Sequence, residues 1–306
     1  MCTQTNLATT KTKSKGSHAG TRNSMLFLVG LFGVLAATML TSEYLPKLLS
    51  PTTYIRSWYS YSVQRFDNTW PTYVTDYGLT FHMCIGIYRL LKCERSELRD
   101  FSASLLLFYA ISVTVGGISH QNFTSVEKMN TLAFRLMWSV VVGTVTGAGG
   151  FLGSIGSAFA RMARGSLDKR YNVVVVPSWW WAVWSVFLTS LVFGGFLSME
   201  RPAADIFLAG VTQTAPTCYM VVCAFSNNWK GDQNAIWRHL IILVIGAFLN
   251  APLLPLYGVL VNLGLELGTV NTILHCWLAA AWGMQAIALR GLSYHIVVEG
   301  KAAKIA

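Results

Sequence analysis

From residue 25 onward the chain alternates apolar runs of about twenty residues with short polar stretches, the pattern of helices that cross a bilayer. The runs fall at Met25 to Thr41, Pro71 to Leu91, Phe101 to Ile118, Asn130 to Ala160, Val173 to Ser198, Ala204 to Phe225, His239 to Val261 and Val270 to Arg290. They predict an all-α transmembrane helical bundle of about eight spans, seven plus an N-terminal anchor. Helices and closed barrels alone satisfy their backbone groups inside lipid. Residues 1–24 read as a disordered basic tail, 25–290 as the membrane domain and 291–306 as a C-terminal tail. The first tail holds Lys11, Lys13, Lys15 and Arg22 without an acid, which fits a cytosolic tail before a signal anchor or an organelle transit peptide. Between Ser42 and Trp70, aromatics interleave with Lys47, Arg56 and Arg65, as in a segment lying along a membrane surface.

Local patterning adds three expectations. Gly147, Gly150, Gly153 and Gly156 recur at every third position of one run and predict a seam where another helix packs closely. Pro252 and Pro255, with Asn250, predict a kink in the seventh run. Trp179, Trp180, Trp181 and Trp184 predict an aromatic belt at a membrane interface.

Composition sharpens the class. The chain is 53% hydrophobic and 12% charged, against about 25% charged in soluble domains, and its mean hydropathy is +0.47. The net charge of +10 would suggest nucleic acid in a soluble chain. Here the basic residues concentrate in alternate loops: Arg89, Lys92, Arg95 and Arg99, then Arg161, Arg164, Lys169 and Arg170, then Lys230 and Arg238, then Lys301 and Lys304. That is a positive-inside signal, so both termini are expected on the cytosolic side and no nucleic-acid partner is expected. The six cysteines form no CxxC pair and imply no disulfide framework.

On that topology most polar residues within the apolar runs fall in the non-cytosolic leaflet. Asp76 enters early in the second span with His82 near its middle; His120 closes the third; Asn130 and Arg135 open the fourth; Glu200 ends the fifth. Asp205 begins the sixth with Gln213 deeper, Asn250 lies in the seventh, and Asn271, His275 and Trp277 begin the eighth. Ionisable groups at membrane depth face a bundle interior or a wet cavity and mark functional sites. Asp76, His82, His120 and His275 are therefore the candidate catalytic residues, and Arg135, Asp205, Gln213, Asn250 and Trp277 the candidate substrate-binding ones. Three chemistries compete. One is a zinc ion held by His82, His120 and His275, with Asp76 as fourth ligand or base, in a hydrolase. The second is metal-free acid–base work on a lipid-like substrate, such as isomerisation, with Tyr77, Tyr109, Trp138, Trp277 and Trp282 lining an apolar pocket. The third is a polar pathway for a proton or small solute.

At Thr75-Asp76, then Gly116-Gly117-Ile118-Ser119-His120, then His275 with Gln285, the chain resembles a group of uncharacterised multi-pass membrane proteins with an early Thr-Asp, a GGxxH ending the next span and a late histidine. It also distantly resembles the alkaline ceramidase and adiponectin-receptor superfamily of seven-span zinc amidases, although that superfamily's late HxxxH and early Ser-x-x-x-His are absent. The expectation is an intramembrane enzyme of lipid metabolism, a hydrolase or isomerase acting on a lipid or isoprenoid-like molecule in an endomembrane or organelle membrane. A small-solute or proton-coupled transporter and a non-catalytic structural subunit are the rivals. The partners expected are membrane lipid and a hydrophobic small molecule.

Overall fold

The computed structural model describes residues 67–129, 131–164, 174–197, 202–226, 229, 232–250 and 253–296. The expected tails, the first span, the interfacial segment before residue 67, Asn130, Glu200 and the side chain of Asp205 lie outside the described residues.

All regular structure among the described residues is helical. In chain order the helices are α1 (Trp70–Leu91), α2 (Glu97–Asn122), the short α3 (Val126–Met129), α4 (Leu132–Arg164), α5 (Ser178–Leu197), α6 (Pro202–Phe225), α7 (Gln233–Phe248), α8 (Leu253–Asn262) and α9 (Leu267–Tyr294). Three of them, α2, α4 and α9, are long and apolar enough to cross a membrane. This is the composition of a membrane protein. Their starts are written locally. Ser96 accepts the Arg99 N–H at 3.2 Å ahead of α2, whose first turn carries Glu97 and Asp100, and Asp232 accepts the Ala235 N–H at 3.1 Å ahead of α7. Each oxygen answers an N–H that has no partner within its helix, and the carboxylates suit the positive end of the helix dipole.

Two apolar runs fold differently from expectation. In the fifth, residues 174–177 are not helical, and α5 starts only after Pro177, because proline disfavours helical backbone in the residue before it. The Tyr219 hydroxyl replaces the missing helical partners, accepting from Val176 N–H at 3.0 Å and donating to the Val174 carbonyl at 2.9 Å. The seventh run divides at Leu249–Asn250 into α7 and α8.

In space α7, α9, α1, α2, α4 and α6 follow one another as packed neighbours, and α5 lies outside α4. Where this arc closes, α6 meets α7 and α8 along only a short seam. The glycine row of α4 makes the closest approaches. A Cβ on Gly156 would come within 2.8 Å of the Met220 backbone in α6, and Gly153 faces the Trp181 ring of α5. Ser185 donates to the Gly147 carbonyl at 2.6 Å and the Trp181 indole N–H to Ser157 Oγ at 2.8 Å. Trp181 and Trp184 are consequently buried core residues, while Trp179 is exposed and stacks on Trp180 at 4.8 Å. Trp181 thus fills the notch left by Gly153, and Trp184 packs beside it with ring centres 6.4 Å apart.

The end of the bundle at which α1 finishes and α2 begins is solid. Leu90, Leu98, Ile155, Phe159, Leu240 and Leu289 are completely buried there or nearly so. At the other end the helices enclose a cavity.

Candidate functional site

The cavity measures about 270 Å³ and is walled by α1, α2, α4, α6, α8 and α9. Its polar surface comes from Asp67, Asp76, Ser112, His120, Gln213, Asn250, Asn271 and His275, and its apolar surface from Trp138, Trp282, Leu278 and a valine stripe of α4. Five sequence-predicted residues, Asp76, His120, His275, Gln213 and Asn250, are thereby brought together.

Asp76 is the centre of this arrangement. It is 3% exposed and stands on α1 where α2 passes unusually close. The closeness is due to Gly117: a Cβ there would meet the Tyr77 ring at 2.9 Å and the Asp76 Cβ at 3.1 Å. Gly116 beside it faces the carboxyl group, where a Cβ would make an ordinary van der Waals contact 3.7 Å from Asp76 Oδ2. Asp76 Oδ1 lies 3.4 Å from His275 Nε2. Asp76 Oδ2 is buried and has no hydrogen-bond partner among the described residues.

His275 is held from its other side. Its Nδ1 lies 2.7 Å from Thr75 Oγ1, which also lies 2.7 Å from the Pro71 carbonyl and 2.8 Å from that of Thr72. A hydroxyl has one proton to give. When Thr75 donates to a backbone carbonyl it accepts from Nδ1–H, leaving the Nε2 lone pair toward a protonated Asp76. When Thr75 donates to Nδ1, Nε2–H points at the Asp76 carboxylate. The two arrangements differ by one proton, which is exchanged with a bound molecule or solvent, and the Thr75 hydroxyl matches either imidazole tautomer.

His120 serves the chain end of α1. Its Nδ1 meets the Asp67 backbone carbonyl, and its ring is edge-on to Trp138 at 5.6 Å. Asp67 closes the site from the loop before α1. Its carboxylate accepts the Thr69 N–H at 2.9 Å, the Asn271 amide at 3.0 Å and the Thr72 hydroxyl. Burial alone would raise the Asp67 carboxyl, but these hydrogen bonds from Thr72, Thr69 and Asn271 outweigh it and hold the group below the ordinary carboxylate range.

Tyr109 stacks on Trp282 with ring centres 4.2 Å apart and reaches Gln213 Oε1 at 3.4 Å. Gln213 in turn donates to the Val145 carbonyl. These contacts fix the aromatic wall.

The remaining predicted residues stand elsewhere. His82 is exposed, with its ring over Gly283 of α9, because six residues along a helix turn it about 240° from Asp76. Arg135 is half-buried near the start of α4 and does not line the cavity. Trp277 donates its indole N–H to the Leu249 carbonyl at 2.7 Å, capping the broken end of α7 rather than facing the cavity. Asp205 falls in the first turn of α6.

His82, His120 and His275 do not converge, and no group of three or more His, Cys, Asp or Glu side chains among the described residues is placed to hold a metal ion. Sequence reasoning missed Asp67, since a carboxylate outside an apolar run attracts no notice. The signal was its place two residues before Thr69-Trp70-Pro71, where an acidic residue precedes a helix start marked by proline.

No family model matches the chain, and neither a curated protein nor a solved structure matches it.

Proposed function

We propose that the chain is an intramembrane enzyme that uses Asp76 and His275 as a metal-free acid–base pair on a lipid or isoprenoid-like substrate. The observation that carries this reading is the Asp76 carboxyl group. One of its oxygens faces His275, and the other is buried at a cavity with aromatic walls and has no partner among the described residues. A base needs an oxygen free to take a proton, and a partner ready to pass one on. Asp76 Oδ2 is the contacting atom, His275 is the proton partner, and Thr75 orients the imidazole. Trp138 and Trp282 supply a surface for an apolar substrate and favour developing positive charge over their ring faces.

The topology proposed with it has eight spans and both termini on the cytosolic side. Arg89, Lys92, Arg95, Arg99, Arg161, Arg238 and Arg290 all occur near helix ends remote from the cavity, which supports that orientation. The cavity then opens in the non-cytosolic leaflet of an endomembrane or organelle membrane. The solid apolar packing beneath it favours an enzyme over a transporter, which requires a polar path through the whole bundle.

The test is isotopic. Purified protein in nanodiscs of a native-membrane lipid extract is incubated in D₂O and, separately, in H₂¹⁸O, and the lipids are analysed by mass spectrometry. Isomerisation places deuterium in a lipid, and hydrolysis places ¹⁸O in a product. Labelling is expected with wild type and reduced at least about hundredfold in Asp76→Asn, the range of general acid–base contributions. Identical lipid spectra with and without wild-type protein would overturn the reading.

A further inference from the structure

The hydrogen-bond chemistry of the cavity is one-sided. Two of its side chains hold a buried acceptor with no donor among the described residues: Asp76 Oδ2 and Asn250 Oδ1. No lysine or arginine among the described residues lines the cavity. Asp67 is already occupied by Thr69, Thr72 and Asn271, so it adds negative charge without needing a partner. A buried acceptor left unmatched costs about 1–3 kcal/mol, and more when charged. The ligand that repairs this must bring donors, and a positive charge answers the carboxylates best.

Size and access limit the ligand further. About 270 Å³ is slightly below the roughly 300 Å³ at which pockets begin to hold drug-sized molecules. The cavity therefore accommodates a head and its first carbons. Gly210 of α6 lines the cavity and is also exposed, and it lies on the helix whose contact with α7 and α8 is short. On the proposed topology an opening beside Gly210 faces sideways, toward the acyl chains, with Leu253 and Tyr257 of α8 on the cavity wall.

We infer that the cavity takes the ammonium head of an amphiphilic amine, seated against Asp76 and Asn250 with its alkyl chain leaving past Gly210 between α6 and α8. An ammonium offers three N–H donors and a charge, where a hydroxyl offers one donor. The indoles of Trp138 and Trp282 lie where the cation and its first methylenes come to rest. This inference rests on the reading of the cavity as a lipid site and names the class of lipid.

Photoreactive diazirine probes with one alkyl chain and three heads, primary amine, alcohol and carboxylic acid, distinguish the possibilities. Each is crosslinked to the full-length protein in phosphatidylcholine nanodiscs, and the labelled peptides are mapped by mass spectrometry. The amine is expected to label cavity residues of α6, α8 and α9 at least about tenfold more than the alcohol, as a charge-assisted hydrogen bond allows. Asp76→Asn and Asn250→Leu are each expected to reduce amine labelling toward the alcohol level. Equal labelling by amine and alcohol in wild type would overturn the amine inference while leaving a lipid-binding cavity intact. Preferential labelling by the acid would overturn it as well. Absence of cavity labelling by all three heads would remove the lipid reading together with it. The comparison of heads is made on wild-type protein, so it stands even if a variant fails to fold.

Discussion

At the scale of single residues, the site separates side chains that do chemistry from those that hold geometry. Asp76 and His275 face the cavity and each other, whereas His120 and Asp67 tie the start of α1 to α2 and α9. His120→Ala removes the donor from a buried backbone carbonyl and is expected to cost about 1–3 kcal/mol of stability, read as a lower unfolding temperature in detergent. Asp67 gives a pH signature. Its carboxyl lies below its ordinary value in the folded chain, so its stabilising contribution is full above about pH 4 and fades as pH falls below that value. Wild type is expected to lose thermal stability on acidification from about pH 5 to pH 3, and Asp67→Asn to lose less over the same interval. Equal losses would show that the Asp67 hydrogen bonds contribute nothing through ionisation. The residues legible in the sequence were those that contradict their surroundings. Asp76, His120 and His275 stand out because they are ionisable within apolar runs. His82 stands out for the same reason, yet projects from another face of α1, so depth along a span without its angle gave a false partner. Asp67 lies in polar surroundings and only its fold-dependent contacts reveal it.

At the scale of elements, glycine sets how closely helices meet. Gly117 brings α2 onto α1 at Asp76, and the row in α4 admits α5 and α6. In lipid the gain comes from packing and short hydrogen bonds, since apolar surface is equally at home in acyl chains. Gly153→Leu, which drives a side chain into the position of the Trp181 ring, is expected to lower stability by about 1–3 kcal/mol, as overpacking does. The change should appear as a lower unfolding temperature, together with a shift in tryptophan emission as the indole is displaced. An unaltered emission spectrum would show that α5 yields without disturbing Trp181. The glycine spacing announced this seam but not its partners, because every apolar helix offers a possible neighbour and only the folded bundle chooses. A kink in the seventh run was legible in Asn250, Pro252 and Pro255, but its division into two helices was not. Trp277 as the group that caps the broken end did not, since nothing local joins it to Leu249 across 28 residues.

At the scale of the whole molecule, polarity is distributed in two opposed senses. Buried carboxylates and amides gather at the cavity, whereas at the solid end arginines stand among the exposed acids, Arg99 with Asp100 and Arg161 with Glu97. If the cavity is blind, a membrane-impermeant thiol reagent added from the cavity side should label a cysteine placed at the exposed Asn122 at that end of α2 but not one placed at Leu90. Labelling of both from that side would mean a continuous aqueous path and would favour transport. The general architecture was legible because bilayer thickness imposes a length on every crossing element. Which helices adjoin was not, because span order in sequence does not determine order in space: α9 settles beside α1, and α5 remains outside.

The pairing of Thr75 with His275 joins residues 200 positions apart, which gives the protein a problem of timing. At about 5–20 residues per second of synthesis, α1 exists for roughly 10–40 s before the helix bearing its partner emerges. During that interval Asp76 has no imidazole beside it, and α1 is not among the helices apolar enough to cross lipid on composition alone. On the proposed topology, a nascent chain that stops before α9 carries an unanswered acid within the bilayer, a mark by which incomplete molecules differ from finished ones.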